Sequence, residues 1–251
     1  MINPIYFTSC NEEYLQKFVK SFVASSVDAK INNKFVIDVC PTTQLSFNSV
    51  ALINEIKNNF ANFDFISVDP LHLLEDNWPS KKTYYACRRF LLMPELLLRY
   101  KKLWVTDIDV MFLKAFPEIQ SCLGYSLSLE KPRPGSKNYE RRKTGTIIKG
   151  DMIYADDRFY DQAVRIREHI LASDRKWYAD QLALFDVFNN VNDYQLVTRS
   201  AMKRSELNKW NNDSYLISPG GTYKKKLEVK EDFAYFDQRY YSLINSKKED
   251  K

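Results

Sequence analysis

The strongest restriction on the fold is the order of apolar patterns in the first 110 residues, where short strand-like runs alternate with longer stretches of helical period. Pro4 to Cys10 (PIYFTSC), Phe35 to Cys40 (FVIDVC) and Phe63 to Val68 (FDFISV) are rich in β-branched and aromatic residues, as strands buried on both faces are. After the first run, Asn11 is a cap residue and Glu12 and Glu13 are first-turn acids. Tyr14, Leu15, Phe18, Val19, Phe22 and Val23 then recur at helical spacing. A second helix is predicted over 47–60, its apolar face carried by Leu52, Ile53, Ile56 and Phe60. Strands alternating with helices in this way require a parallel sheet covered by helices, so the class is α/β.

The pattern continues with a helix predicted over Thr83 to Tyr100, which Pro94 is expected to kink or end early. Lys102 to Val110 (KLWVTDIDV) begins as a buried strand and ends in two aspartates. Residues 125–130 and 144–154 read as further strands around a Pro/Gly-rich turn at 132–135. Phe159 to Ile170 and Trp177 to Phe188 read as helices, and 194–198 as one more strand. The segment from Lys224 is charged and then aromatic, and is expected to end as a helix lying on the surface.

Composition narrows the classes of function. A chain of 251 residues with 45% hydrophobic and 27% charged residues suits one globular domain. No run is long and apolar enough to span a membrane, and Met1-Ile2-Asn3-Pro4 opens straight into a strand without a basic leader; a cytoplasmic protein is expected, with peripheral membrane contact left open. Cys10, Cys40, Cys87 and Cys122 are widely spaced among apolar neighbours and are expected to be buried free thiols. The net charge of +5 is spread out. Only Arg141-Arg142-Lys143 and Lys224-Lys225-Lys226 cluster, as solvated surface or as a basic mouth for a diphosphate. No long basic stripe with interleaved aromatics is present, so nucleic acid is not an expected partner.

The pair Asp107 and Asp109 carries the chemistry. In open α/β sheets ligands bind beyond the carboxyl ends of the strands. Asp107-Ile108-Asp109 follows the apolar run Leu103-Trp104-Val105 and precedes Val110-Met111-Phe112. Strand alternation turns the two aspartates to one side. Like-charged carboxylates in water-poor surroundings repel, and a hard dication such as Mn²⁺ or Mg²⁺, completed by substrate phosphates, removes the conflict. The competing reading has Asp107 capping a turn and Asp109 paired with an arginine.

Arg89-Phe90-Leu91-Leu92-Met93-Pro94-Glu95-Leu96-Leu97, followed by Leu103 to Val110, resembles the core of GT-A fold glycosyltransferases, and most closely the glycogenin/LgtC-like family 8 group. Gly145-Thr146-Ile147-Ile148 through Met152-Ile153-Tyr154 resembles that group's glycine-led strand, and Trp177 to Leu184 its Asp-Gln helix start. These blocks cover residues 83–188. The resemblance implies a mostly parallel sheet flanked by helices, with a small antiparallel extension. It divides the chain into a nucleotide-binding half (1–110), a donor-sugar and acceptor half (111–223) and a tail (224–251). It also implies a metal-assisted transfer from a nucleotide-sugar, expected to be a uridine diphosphate sugar, to a hydroxyl of a carbohydrate or glycoconjugate acceptor. Asp107 and Asp109 would hold the metal, and Arg89 would reach the diphosphate or those carboxylates. Asp180 and Gln181 would touch the donor sugar, and Thr8 and Ser9 would face the base or ribose.

The chain departs from the group in its last third, where it has no histidine; its two, His72 and His169, read as packed and surface residues. Ile217 to Lys225 stands in place of the group's His-Gly-x-x-Lys-Pro segment, and Lys224 or Lys225 is the expected phosphate cation. Of the adjacent Arg88 and Arg89, about 100° apart on a helix, Arg89 is assigned to the site and Arg88 to the surface. Asp180 also has a plain reading as a first-turn acid. Two other functions share this layout. One is a nucleotidyltransferase, which the lack of any glycine before Gly124 opposes. The other is an inactive nucleotide- or carbohydrate-binding module.

Overall fold

The structure, a computed structural model, describes residues 2–40, 45–67, 78–128, 147–175, 179–197, 214–219 and 224–249. The opening alternation appears as β1 (Ile5–Asn11), α1 (Glu12–Asp28), β2 (Phe35–Cys40), α2 (Phe47–Asn59) and β3 (Phe63–Ile66). Asn11 caps α1 as expected, its Oδ1 accepting the Tyr14 N–H at 2.9 Å. The helix predicted over 83–100 is two helices, α3 (Lys81–Leu91) and α4 (Met93–Tyr100), broken at Leu92. Pro94 has no amide proton to donate, so it sits in the first turn of α4, where none is needed. Lys101 then takes a left-handed φ of 68° and turns the chain into β4 (Lys102–Thr106).

Beyond β4 come β5 (Met111–Phe112), β6 (Leu123–Ser128), β7 (Ile147–Asp156), a 3₁₀ turn at Asp157–Phe159, α5 (Tyr160–Ala172), α6 (Ala179–Phe188), β8 (Tyr194–Leu196), β9 (Leu216–Ile217) and α7 (Leu227–Glu249). The predicted turn at 132–135, Gly145, Thr146, Trp177, Tyr178 and His72 lie outside the described residues.

The main sheet has the order β3-β2-β1-β4-β7-β6-β8, and β5 pairs with β9 in a small antiparallel sheet. Among these strands of the main sheet, β7 alone runs against the rest. From β1 the chain moves outward to β2 and β3, then returns across β1 to β4. The gap between the carboxyl ends of β1 and β4 is therefore the point where strand order reverses, the place where such sheets hold ligands.

Both faces are covered. One core packs Phe7, Val105 and Ile153 against Phe90, Leu97, Ile166 and Leu184 from α3 to α6. The other packs Tyr6, Phe35 and Trp104 against Phe18 and Phe22 of α1 and Phe112 of the small sheet. All four cysteines are buried and free.

The C-terminal helix corrects the expectation of a surface tail. Val229, Phe236, Tyr240 and Ile244 of α7 are buried. Phe233 meets Phe18 with ring centroids 5.0 Å apart, and the Tyr240 hydroxyl donates to Glu55 of α2 at 2.8 Å. Ser21 of α1 donates to Asp237 at 2.6 Å. The helix is a clamp over α1 and α2. Among the described residues, no helix is long and apolar enough to cross a membrane.

Candidate active site

A cleft of about 520 Å³ opens at the strand-order reversal. Its floor is Ser9, Cys10 and Asn11 at the end of β1 and the turn Asp107-Ile108-Asp109 after β4. Glu13 and Tyr14 of α1 form one wall, and Lys81, Lys82, Tyr85, Ala86 and Arg89 of α3 form the other. Ile108 is buried in the core, which anchors the turn and leaves the two flanking carboxylates on the cleft.

Each carboxylate of the pair has a cation. Arg89 Nη1 donates to Asp107 Oδ1, and Lys224 Nζ donates to Asp109 Oδ2. Arg89 Nη2 also lies 3.9 Å from Asp180 Oδ2 at the start of α6. One guanidinium thus joins α3, the end of β4 and α6. Gly150 on β7 leaves room for it, since a Cβ there would lie 3.2 Å from Arg89 Nη2. Asp107 is 31% exposed and Asp109 9%.

Burial pushes the Asp107 carboxyl up to about 7; Asp109 and Asp151 repel its charge, while Arg89 and Lys224 pull the other way. Burial likewise raises Asp180, opposed by Arg89 and by the Gln181 and Asp180 N–H groups. A carboxyl protonated up to about 7 in the folded chain, but only up to about 4 in an unfolded one, makes the folded state the stronger proton binder between those values. Its contribution to stability is therefore present at low pH and lost as pH rises through about 7. The melting temperature of the ligand-free chain is expected to fall between pH 5 and pH 8, and Asp107→Asn to reduce that fall. An unchanged slope in the variant would remove Asp107 as its source.

The remaining predicted residues are placed as follows. Ser9 lines the cleft, and its Oγ donates to Asp38 Oδ2 at 2.6 Å. Thr8 points to the opposite face of β1 and is buried. Asp180 is buried behind Arg89, and neither it nor the half-buried Gln181 is among the residues lining the cleft. Lys225 is exposed, and Gly220 and Gly221 lie outside the described residues. His169 is far along the chain from the cleft residues, 3.2 Å from Asp186 and 40% exposed.

Arg88 corrects the expectation of a surface charge: it is 2% exposed. Its Nε donates to Asp38 Oδ2 at 2.5 Å and its Nη2 to Oδ1 at 3.2 Å, a two-pronged pair to a carboxylate that is 0% exposed. The reason is geometric. Helix α3 packs over β1, between β2 and β4, so two adjacent arginines diverging by about 100° reach the strands on either side. Arg88 takes Asp38 of β2, and Arg89 takes Asp107 after β4. Sequence reasoning missed this network, whose one visible signal was a lone acid in the apolar run FVIDVC. It also missed Lys81, Lys82 and Tyr85 as lining residues, which share one helical face with Arg89.

Two carboxylates of oxygen-donor type on one turn suit a hard dication that takes few protein ligands and fills its shell with phosphate and water. Among the described residues, no three His, Cys, Asp or Glu side chains gather as a fuller metal cage.

No family model matches the sequence, and no curated protein matches it significantly. Solved structures do match. The galactosyltransferase LgtC, bound to donor and acceptor sugar analogues, is 15% identical, with a TM-score of 0.64 over 97% of this chain and 96% of its own. The apo bifunctional glycosyltransferase WbbM is 14% identical, with a TM-score of 0.63 over 96% of this chain and 51% of its own. The glycosyltransferase GlyE of Streptococcus pneumoniae TIGR4 is 8% identical, with a TM-score of 0.61 over 97% of this chain and 63% of its own. At such identities the likeness shows the architecture: the chain has the GT-A fold of these glycosyltransferases.

Proposed function

We propose that the chain is a glycosyltransferase that moves a sugar from a nucleoside diphosphate donor, expected to be a uridine diphosphate sugar, to a hydroxyl of a carbohydrate or glycoconjugate. The observation that carries this reading is the meeting of Arg89, Asp107 and Asp180, from three separated segments, beside a cleft at the strand-order reversal. The GT-A architecture supports it.

In this reading Asp107 and Asp109 hold Mn²⁺ or Mg²⁺, which when bound neutralises the charge of the leaving diphosphate. Arg89 fixes the position of Asp107 and adds positive charge beside it, in surroundings that make electrostatic stabilisation strong. The basic wall of Lys81 and Lys82 favours phosphate on the α3 side. Acidic Glu13 on the α1 side favours donor hydroxyls instead. Ser9, held by Asp38, presents a fixed hydroxyl to the base or ribose. Asp180, buried behind Arg89, acts on the donor through that guanidinium 3.9 Å away, and the Gln181 N–H holds the Asp180 carboxyl in place.

The test is a panel of nucleotide-sugars incubated with Mn²⁺, with free nucleoside diphosphate measured with and without chelator. Release from one donor, lost on chelation, is the expected result. Tight binding of a nucleoside diphosphate with no release from any donor would make the chain a binding module. Consumption of a nucleoside triphosphate with a sugar phosphate would make it a nucleotidyltransferase.

A further inference from the structure

Lys224 stands just ahead of α7, and its ammonium is held on several sides. Asp109 Oδ2 accepts from Nζ, and the rings of Tyr14 and Phe18 have centroids 5.3 and 5.7 Å from it. Burial would drive the ammonium toward its neutral form, but Asp109 holds it charged. The side chain is 25% exposed and Asp109 only 9%, so this cation fills space beside a carboxylate that few other groups can reach. Two of the surrounding residues, Tyr14 and Asp109, line the cleft.

Resting on the reading of Asp107 and Asp109 as a metal pair, we propose that Lys224 and a divalent cation compete for Asp109, and that a donor diphosphate relieves the competition by accepting the ammonium. A dication on Asp109 would lie within a few ångströms of Nζ, where the two positive charges repel in poorly solvated surroundings. The ammonium must then leave the carboxylate. Asp109 lies on the cleft floor between the two walls, so a diphosphate seated on the metal pair would bring phosphate oxygens to Nζ as a charge-assisted acceptor in exchange. With the diphosphate present the displaced lysine has a new partner; without it the lysine is stranded. Metal and nucleotide therefore bind cooperatively, each tightening the other by the same factor. The chain carries its own brake on metal binding, which the donor releases.

The experiment measures Mn²⁺ binding by electron paramagnetic resonance of the free ion, on the full chain and on Lys224→Met, Lys224→Gln and Lys224→Arg. Thermal melts establish that each variant is folded, and two neutral replacements guard against the loss of one. With Mn²⁺ alone, the Met and Gln variants are expected to bind at least about tenfold tighter than the parent, a factor corresponding to about 1.4 kcal/mol. The Arg variant, which keeps the charge, should stay as weak as the parent. Adding uridine diphosphate should tighten Mn²⁺ binding in the parent and much less in the neutral variants. Equal Mn²⁺ affinity in the parent and the neutral variants would overturn the competition while leaving the metal pair standing. Failure of every protein to bind Mn²⁺, with or without the nucleotide, would remove the metal pair itself.

Discussion

Asp109→Asn is expected to abolish metal-dependent nucleoside diphosphate binding and to lower sugar transfer by about 10²–10³-fold, the range lost when one preorganised electrostatic contact to a transition state is removed. Asparagine keeps the shape and one oxygen acceptor but loses the charge that makes the turn a cation site. The fold should survive. Ile108 and Val110 remain buried on either side, and Lys224, already partly exposed, swings to solvent at a cost of about 1 kcal/mol. Calorimetric titration with uridine diphosphate and Mn²⁺, beside a thermal melt, separates the two effects. Unchanged affinity in a folded variant would take Asp109 out of the site. A lost affinity together with a collapsed melting curve would mean that the turn is structural.

The largest stability effect lies one helical position away from the chemistry. Arg88→Met is expected to destabilise the chain by about 3–5 kcal/mol, because it removes the guanidinium from a carboxylate with no exposure to water. For a chain of this size that is a fall in melting temperature of roughly 6–20 °C. Asp38→Asn added to Arg88→Met should recover part of the loss, since the charge left behind is then gone. The double variant would be less unstable than the two single losses summed. Strict additivity would mean that the two groups do not act as a pair. The pair also bears on the site, because Asp38 accepts from Ser9 on the cleft floor. Arg88→Met should therefore weaken donor affinity even in conditions where the chain stays folded.

Those two arginines also show where the sequence stopped being legible. Local rules were enough for the first half. The Asn11 cap acts over three residues, the buried runs at β1 to β3 are contiguous, and the apolar strand running into Asp107 and Asp109 is visible in one line of text. The partner of Asp38 was not visible. It lies 50 residues away and depends on how α3 is rotated over β1, which only the packed sheet decides. The break at Leu92 was half legible: Pro94 announced an interruption but not that it would open a new helix. In α7 the buried positions Val229, Phe236, Tyr240 and Ile244 do repeat at helical spacing. Exposed Tyr235 and Tyr241 spread the aromatic signal around the helix, so its inner face emerged only against α1.

The clamp formed by α7 has a consequence for how the protein comes into being. Ser21 and Asp237 join positions 216 residues apart, and Tyr240 reaches back 185 residues to Glu55. Helix α1, whose first turn walls the cleft, is thus braced by a segment synthesised long after it. A chain still emerging from the ribosome has made its two aspartates but lacks the support that holds their pocket in shape. Ligand recognition would switch on late, when α7 arrives and docks against α1.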